Sequence, residues 1–255
     1  MSADLLAAFR RIAETAGKEI LRHYHAGTPA RLKSDRTPVT EADEAAEAII
    51  LPALSGLFPG IVCVAEEACA RSGPPSIAGP ENFLLVDPLD GTREFLAGNG
   101  EFTVNIALIE EGRPTHGVVH LPALGSTYTG GPSGAMLTVA GEPPRPIAAR
   151  AKPADGVIVL ASRSHNQGDA LDRYLAEHRV AERIAAGSSL KFCRIAEGLA
   201  DLYPRFGRTM EWDTAAGHAV LTAAGGNVTT LDGKALLYGK PGFENPDFIA
   251  RGRWQ

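Results

Sequence analysis

The stretch LLVDPLDGTREF, residues 84–95, ends an apolar run in two aspartates, Asp87 and Asp90, set around Pro88 and Leu89. Like charges that close repel, so either a cation stands between the carboxylates or the two face apart into water. Pro88 fixes its own φ and restricts the residue before it, which lets the turn hold both carboxylates and the Leu89 carbonyl toward one point. The charge that suits such a point is a metal ion. Gly91 and Thr92 come next, with backbone N–H groups placed to grip a phosphate oxygen, as glycine-rich turns at helix starts do.

Other carboxylates stand at element boundaries. Glu66 follows the strand-like IVCVA, Asp213 opens the helical pattern EWDTAAGHAV, and Asp43 lies one turn into a helix for which Thr40 is the N-cap. An all-oxygen set suits Mg²⁺, which keeps several waters and takes a few carboxylates plus substrate phosphate. No His or Cys is needed, which argues against zinc. Taken singly, each has a plainer role: D-P-x-D-G-T as a surface turn with Asx caps, Glu66 and Glu67 as solvated loop residues, Asp213 as a helix cap. Their joint occurrence is what points to metal.

The elements that must position these residues are read from periodicity. Leu5, Leu6, Phe9, Ile12, Ala13, Ala16 and Ile20 recur at three- and four-residue steps and predict a first helix over 3–26; a second follows Thr40 to Leu57. IVCVAEE reads as a short strand ending in two glutamates. Phe83–Val86, Phe102–Ile109, Gly117–Leu121 and 125–139 read as strands, so residues 1–150 form two helices on an antiparallel sheet. From Pro153 the rhythm changes to strand 157–162, helix 167–178, a short strand, helix 189–199, the strand ADLYPRF and helix 213–224. Such alternation predicts an α/β lobe over 151–255 with a parallel or mixed sheet, joined to the first without a flexible spacer.

With 255 residues and 44% apolar content the chain can bury one large core or two modest ones. No segment approaches 18 uninterrupted apolar residues, which excludes a membrane-spanning helix. The N-terminal segment interleaves charge and apolarity at helical spacing, unlike a signal peptide, and the expected location is the cytoplasm, with peripheral contact at the inner membrane as the alternative. A net charge of −5 without a dense Lys/Arg cluster argues against a nucleic-acid polymer as partner. Cys63, Cys69 and Cys193 have no paired metal spacing and read as buried thiols.

VAEE, LLVDPLDGTREF, NGEFTVNIALI and EWDTAAGHAVLTAAGG resemble the signature segments of the inositol monophosphatase superfamily, magnesium-dependent and lithium-sensitive phosphatases, from about Lys33 to Asn245. SRSH at 162–165 and GSSLKFCRIAEGLADLYPRFG at 187–207 are most similar to its bacterial 3′(2′),5′-bisphosphate nucleotidase branch, which dephosphorylates 3′-phosphoadenosine 5′-phosphate. The resemblance implies a five-layer αβαβα sandwich and two or three Mg²⁺ ions held by Glu66, Asp87, the Leu89 carbonyl, Asp90 and Asp213. It also implies that Asp43 and Thr92, beside Glu66, help activate water, and that Asp90, Gly91 and Thr92 hold phosphate. Ala65 departs from the serine often found in that branch and leaves the ligand set intact.

A second phosphate on the substrate would need cations of its own. Lys191, in the first turn of a helix opened by Gly187-Ser188-Ser189, Arg205, ending a strand, and Arg163, after Ser162 at another strand end, are the candidates; each alone could equally be a solvated surface charge. His165 also follows a strand end, where α/β sheets place ligand loops, with surface hydrogen bonding or base contact both open. The expected partner is a small phosphorylated substrate bound by a monomer or homodimer. Three readings remain: a bisphosphate nucleotidase, an inositol or sugar phosphate phosphatase of the same superfamily, and a non-enzymatic phosphate-binding scaffold.

Overall fold

The computed structural model describes residues 2–27, 29–32, 38–77, 81–163 and 168–254. The three- and four-residue apolar spacing coils the first segment into α1 (Ser2–Ala26), and its stripe of Phe9, Ala13, Ala16 and Ile20 is fully buried. A small hairpin of β1 (Ala30–Leu32) and β2 (Pro38–Thr40) leads into α2 (Glu41–Leu57). Thr40 caps α2 as expected: its Oγ1 accepts the Ala42 N–H at 3.2 Å, and Asp43 Oδ2 reaches back to the Thr40 N–H at 2.8 Å.

The next segments are β3 (Val62–Ala65), α3 (Glu66–Ser72), β4 (Phe83–Asp90), α4 (Thr92–Leu96), β5 (Thr103–Glu110), β6 (Arg113–Leu121), β7 (Ser126–Gly131), β8 (Gly134–Val139) and β9 (Arg145–Ile147). β3 to β9 form one seven-stranded sheet in sequence order, parallel only between β3 and β4. Period-two alternation splits its side chains: Leu84, Val86, Val104 and Ile106 face α1 and α2, while Phe83, Leu85, Ala107 and Ile109 face the other way. That second face is covered by α6 (Leu190–Ala196) and α7 (Glu211–Ala223).

A five-stranded sheet closes over those helices. It contains β10 (Val157–Ser162), β11 (Val180–Ala186), β12 (Leu202–Arg205), β13 (Asn227–Thr230) and β14 (Phe248–Arg251) in the order β11-β10-β12-β14-β13. β10 runs parallel to β11 and β12, and β14 is antiparallel to β12 and β13, so the sheet is mixed. Its outer face packs Val157, Val159 and Leu202 against Leu171, Tyr174 and Leu175 of α5 (Gly168–Leu175). Helices α1 and α2, the large sheet, α6 and α7, the small sheet and α5 make five layers, αβαβα. No helix among the described residues is long and apolar enough to cross a membrane.

Two local expectations are corrected. The glutamates after IVCVA do not end a strand in a loop; they begin α3, because Glu47 of α2 accepts the N–H groups of Glu67 and Ala68 at 3.0 and 3.1 Å. That cap comes from twenty residues away, so no local signal carries it. Strands β9, β13 and β14 are also additional to the sequence reading, being only three or four residues long.

α7 lies close on β6 and β7 because glycines face it. A Cβ at Gly130 would stand 2.4 Å from Val220 Cα, and one at Gly117 2.6 Å from the Ala216 carbonyl oxygen. Gly130→Ala should therefore destabilise the protein by about 1–3 kcal/mol, the usual cost of overpacking. Gly56→Ala, at an open position within α2, should stabilise by roughly 0.5–1 kcal/mol. Thermal unfolding of both variants checks this, and a Gly130→Ala Tm equal to or above the parent's would refute the close approach.

Candidate active site

Three carboxylates from three elements meet where the layers come together. Ligand-capable oxygens of Glu66 at the start of α3, Asp87 on β4 and Asp213 in the first turn of α7 lie within 4.8 Å of one another. Asp87 is held well above the usual carboxylate range by its burial and then by the charges of Glu66, Asp90 and Asp213. Asp213 is raised in the same way by burial, Asp90 and Glu66. With Asp87 fully buried and Glu66 and Asp213 half-buried against it, keeping all three ionised together is costly, and a hard divalent cation with oxygen ligands is what such a set fits.

Backbone groups aim these side chains. The Leu89 N–H donates to Asp87 Oδ1 at 3.0 Å and the Met210 N–H to Asp213 Oδ2 at 2.8 Å, so Asp213 caps its own helix while contributing its carboxylate to the cluster. Asp90 is set differently. Its Oδ2 accepts the Ser189 N–H at 2.6 Å and the Asn105 Nδ2 at 3.5 Å, and burial pushes its pKa up to about 6 against the opposing charge of Lys191. Glu66 inherits its place from the Glu47 cap on α3, which is reinforced by Arg71 at 2.6 Å from Glu47.

Asp43 and Thr92, 49 residues apart, are in contact: Thr92 Oγ1 donates to Asp43 Oδ1 at 3.2 Å, with the Leu89 carbonyl 3.5 Å away. Asp43 is immobilised by the Thr40 N–H and Oγ1 on its other oxygen. Gly91 takes a left-handed conformation at φ 91°, with the Glu101 carbonyl oxygen 3.2 Å from where a Cβ would be, so only glycine fits between Asp90 and Thr92.

Glu66, Asp87, Leu89, Asp90, Gly91, Thr92 and Asp213 line one cavity of about 870 Å³, counting its open mouth. Ser162, Lys191 and Arg205 line it too. Lys191 and Arg205 are each 4% exposed, which overturns their reading as solvated surface charges. Lys191 Nζ donates to the Ser188 and Ala186 carbonyls at 2.7 and 3.3 Å and sits 5.1 Å over the Tyr203 ring; burial lowers its pKa to about 8. Arg205 Nη2 donates to the Arg208 carbonyl at 2.9 Å, while its buried Nε has no hydrogen-bond partner among the described residues.

The other sequence candidates go elsewhere. Arg163 is half exposed and its Nη2 is engaged by Glu101 Oε2 at 2.8 Å and the Ala185 carbonyl at 3.0 Å, outside the cavity lining. Ser189 is buried behind the cavity, where its Oγ accepts from Asn105 Nδ2 at 3.0 Å and donates to the Asp213 carbonyl at 2.7 Å. It ties the two halves together rather than facing the opening. His165 lies outside the described residues. Tyr203, Phe192, Thr209 and Thr214 line the cavity and are absent from the sequence candidates. Tyr203 was within reach, since it shares a strand face with Arg205 two residues on.

Residues 1–253 match the model of the inositol monophosphatase family. The chain belongs to the inositol monophosphatase family. Its similarity is high to the 3′(2′),5′-bisphosphate nucleotidase CysQ of Salmonella typhimurium, 43% identical over 93% of this chain and 96% of that protein. The CysQ of Escherichia coli K12 is 42% identical over the same shares. Among solved structures, CysQ from Bacteroides thetaiotaomicron superposes with a TM-score of 0.80 at 33% identity, covering 100% of this chain and 99% of that one. The IMPase of Thermotoga maritima gives 0.79 at 25% identity, covering 98% and 92%. The inositol monophosphatase family is generally Mg²⁺-dependent, and the Glu66, Asp87 and Asp213 cluster is in keeping with that.

Raised carboxylate pKa values give the cation a pH signature. A group whose folded pKa lies above its unfolded 3.8 adds stability at low pH that is lost as pH rises through the folded value, about 6 for Asp90, and Asp87 and Asp213 are raised in the same direction. A bound cation needs the ionised forms, so protons and Mg²⁺ compete. His116, His120 and His218, held low by burial, act in the opposite sense but equally with and without Mg²⁺. The Tm difference between Mg²⁺ and chelator should therefore be largest near about pH 7.5 and shrink toward about pH 5.5, and Asp87→Asn should reduce it throughout. A difference independent of pH would contradict the cluster's role.

Proposed function

We propose that the protein is a divalent-metal-dependent phosphomonoester hydrolase that removes the 3′-phosphate of 3′-phosphoadenosine 5′-phosphate, giving AMP and inorganic phosphate. The observation that carries this is one cavity with an acidic wall of Glu66, Asp87 and Asp213 and two buried cations, Lys191 and Arg205, facing the same space. Its relatives named CysQ carry the printed activity 3′(2′),5′-bisphosphate nucleotidase. The partner on this reading is a small phosphorylated metabolite, met in the cytoplasm, rather than a nucleic-acid polymer or a bilayer.

Glu66, Asp87, Asp213 and the Leu89 carbonyl, joined by the second oxygen of Asp90, would hold two or three Mg²⁺ ions. Bound there, the ions polarise the phosphoryl oxygens, acidify water and offset charge on the leaving oxygen. The chain's own residues then position. Asp43 accepts the Thr92 hydroxyl proton, which turns the Thr92 oxygen lone pairs toward an attacking water and lets that oxygen take up a proton as the water oxygen bonds to phosphorus. The phosphorus–O3′ bond breaks on the far side; the leaving 3′-oxygen takes a proton from solvent water at the open mouth of the cavity, and the proton lost by the attacking water rests on the Thr92 and Asp43 pair until it exchanges with solvent. Gly91 and Thr92 approach the phosphate closely with backbone N–H groups. Lys191 and Arg205 hold the 5′-phosphate away from the acidic wall, and Tyr203 and Phe192 give the nucleoside apolar surface.

The Asp43 and Thr92 pair separates orientation from mere turn formation. Thr92→Ser keeps the hydroxyl and should retain much of the activity, whereas Thr92→Val should lower kcat by about 10²-fold or more. Valine equal to the parent would remove the pair from the mechanism.

Substrate choice is tested by phosphate release from a panel containing 3′-phosphoadenosine 5′-phosphate, inositol 1-phosphate and fructose 1,6-bisphosphate, each with Mg²⁺ and with excess chelator. Lys191→Met and Arg205→Gln keep much of the buried bulk and remove the charge. Each should raise KM for the adenosine bisphosphate about 10-fold, equivalent to about 1.4 kcal/mol, and change inositol 1-phosphate hydrolysis much less. Equal effects on both substrates, or a parent that prefers inositol 1-phosphate, would replace the nucleotidase reading with a general phosphatase. Full activity in chelator would overturn the metal reading itself.

A further inference from the structure

The segment before β14 reaches back to the site through one side chain. Asn245 is 6% exposed, and its Nδ2 donates to the Met210 carbonyl at 2.8 Å, Thr214 Oγ1 at 3.0 Å and Thr209 Oγ1 at 3.4 Å. Its backbone N–H donates to the Thr209 carbonyl at 2.9 Å. The orientation of the amide is fixed by these acceptors, because turning it over would set Oδ1 against the Met210 carbonyl oxygen. Every acceptor of the amide lies within residues 209–214, the stretch that leads into α7 and carries Asp213.

Met210 is the residue whose N–H holds Asp213 Oδ2 at 2.8 Å. Asn245 therefore fixes the carbonyl side of a residue whose amide side aims the carboxylate. Thr214, next to Asp213, is locked as well: its hydroxyl donates to the Glu211 carbonyl at 3.2 Å and accepts from Asn245 and, at 3.3 Å, from Tyr238. Asn245 Oδ1 is buried with no hydrogen-bond partner among the described residues, which is energetically costly. A polar side chain kept at that cost, with all its donors aimed at one short stretch, serves the geometry of that stretch.

We infer that Asn245 is a positioning residue for Asp213, holding the Met210 carbonyl before it and the Thr214 hydroxyl after it so that its carboxylate meets Glu66 and Asp87 in the arrangement a divalent cation requires. This rests on the metal reading above. Partners that orient metal-ligating carboxylates are typically worth about 10- to 100-fold in metal affinity.

The test compares Mg²⁺ binding by the parent and Asn245→Ala, using titration calorimetry and the Tm rise on adding Mg²⁺. The variant should bind Mg²⁺ about 10-fold more weakly and show a smaller Tm rise. Its KM for the adenosine bisphosphate at saturating Mg²⁺ should stay within about twofold of the parent's, because Asn245 is not in the cavity lining. A variant with a lower Tm in chelator but the parent's Mg²⁺ affinity would overturn the inference and leave Asn245 as structural. Should Asn245→Ala not fold, Asn245→Ser, which keeps one donor at shorter reach, takes its place in the same comparison: weaker Mg²⁺ binding supports the inference and unchanged binding overturns it. The parent's own titration judges the metal reading separately: a parent that binds no Mg²⁺ removes both, while equal binding by parent and variant removes only this inference.

Discussion

The organising constraint is the mutual repulsion of buried carboxylates brought to one point from separate layers. Left to themselves, Glu66, Asp87 and Asp213 would turn outward to water. The fold prevents this by giving each aspartate in the region a backbone N–H for one oxygen: Leu89 for Asp87, Ser189 for Asp90, Met210 for Asp213 and Thr40 for Asp43. A charge-assisted bond to a fixed amide holds a side chain without neutralising it. What remains is a set of oriented anions only partly offset by Lys191 and Arg205, which is a condition that favours a divalent cation.

Such a cluster can only be assembled if the elements carrying it cannot drift apart. α7 lies against β6 and β7 where Gly117 and Gly130 remove the side chains that would push it away. Across the junction, Ser189 joins Asp90 and Asn105 of the large sheet to the backbone of Asp213. Glu101 adds a second tie by accepting the Gly187 N–H at 2.9 Å and the Arg163 guanidinium. The strands of the large sheet all precede residue 150 and those of the small sheet follow it, yet both contribute to the cavity. We therefore propose the two stretches as lobes of one unit, closed by the same bonds that align the acidic side chains.

How much of this could be read in the chain depends on the range of each interaction. The Thr40 and Asp43 cap, the 3–26 helix and the apolar runs of β4 and β5 are local patterns, and they appear as expected. The carboxylates were legible because Pro88 and Gly91 constrain the turn around them. By contrast, α3 depends on Glu47, Ser189 depends on Asn105 and Asp213, and Arg163 is drawn off by Glu101. Each of those is a long-range hydrogen bond between residues whose types suit several partners, so nothing in the local sequence selects the one that forms. Lys191 and Arg205 show the same limit: the sequence left ligand-facing and solvated readings equally open, and only the packing of α6 and β12 shows them buried at the cavity.

The burial of those two cations bears on selectivity. An exposed arginine exchanges water for a ligand with little net gain, so it discriminates weakly. Arg205 is buried with its Nε lacking any hydrogen-bond partner among the described residues, and Lys191 is buried with its charge partly offset by Asp90. On the proposed reading, a substrate with a second phosphate meets the two buried cations, whereas a monophosphate leaves them without an anionic ligand. Sites built around a polar group reject ligands that cannot pair with it more strongly than they reward those that can. The acidic wall would repel that second phosphate unless its cations were in place, so the charges lining the cavity also bear on which phosphate is presented for attack. Selectivity and orientation then follow from one arrangement: acidic and basic side chains lining the same cavity, each suited to a charge of opposite sign.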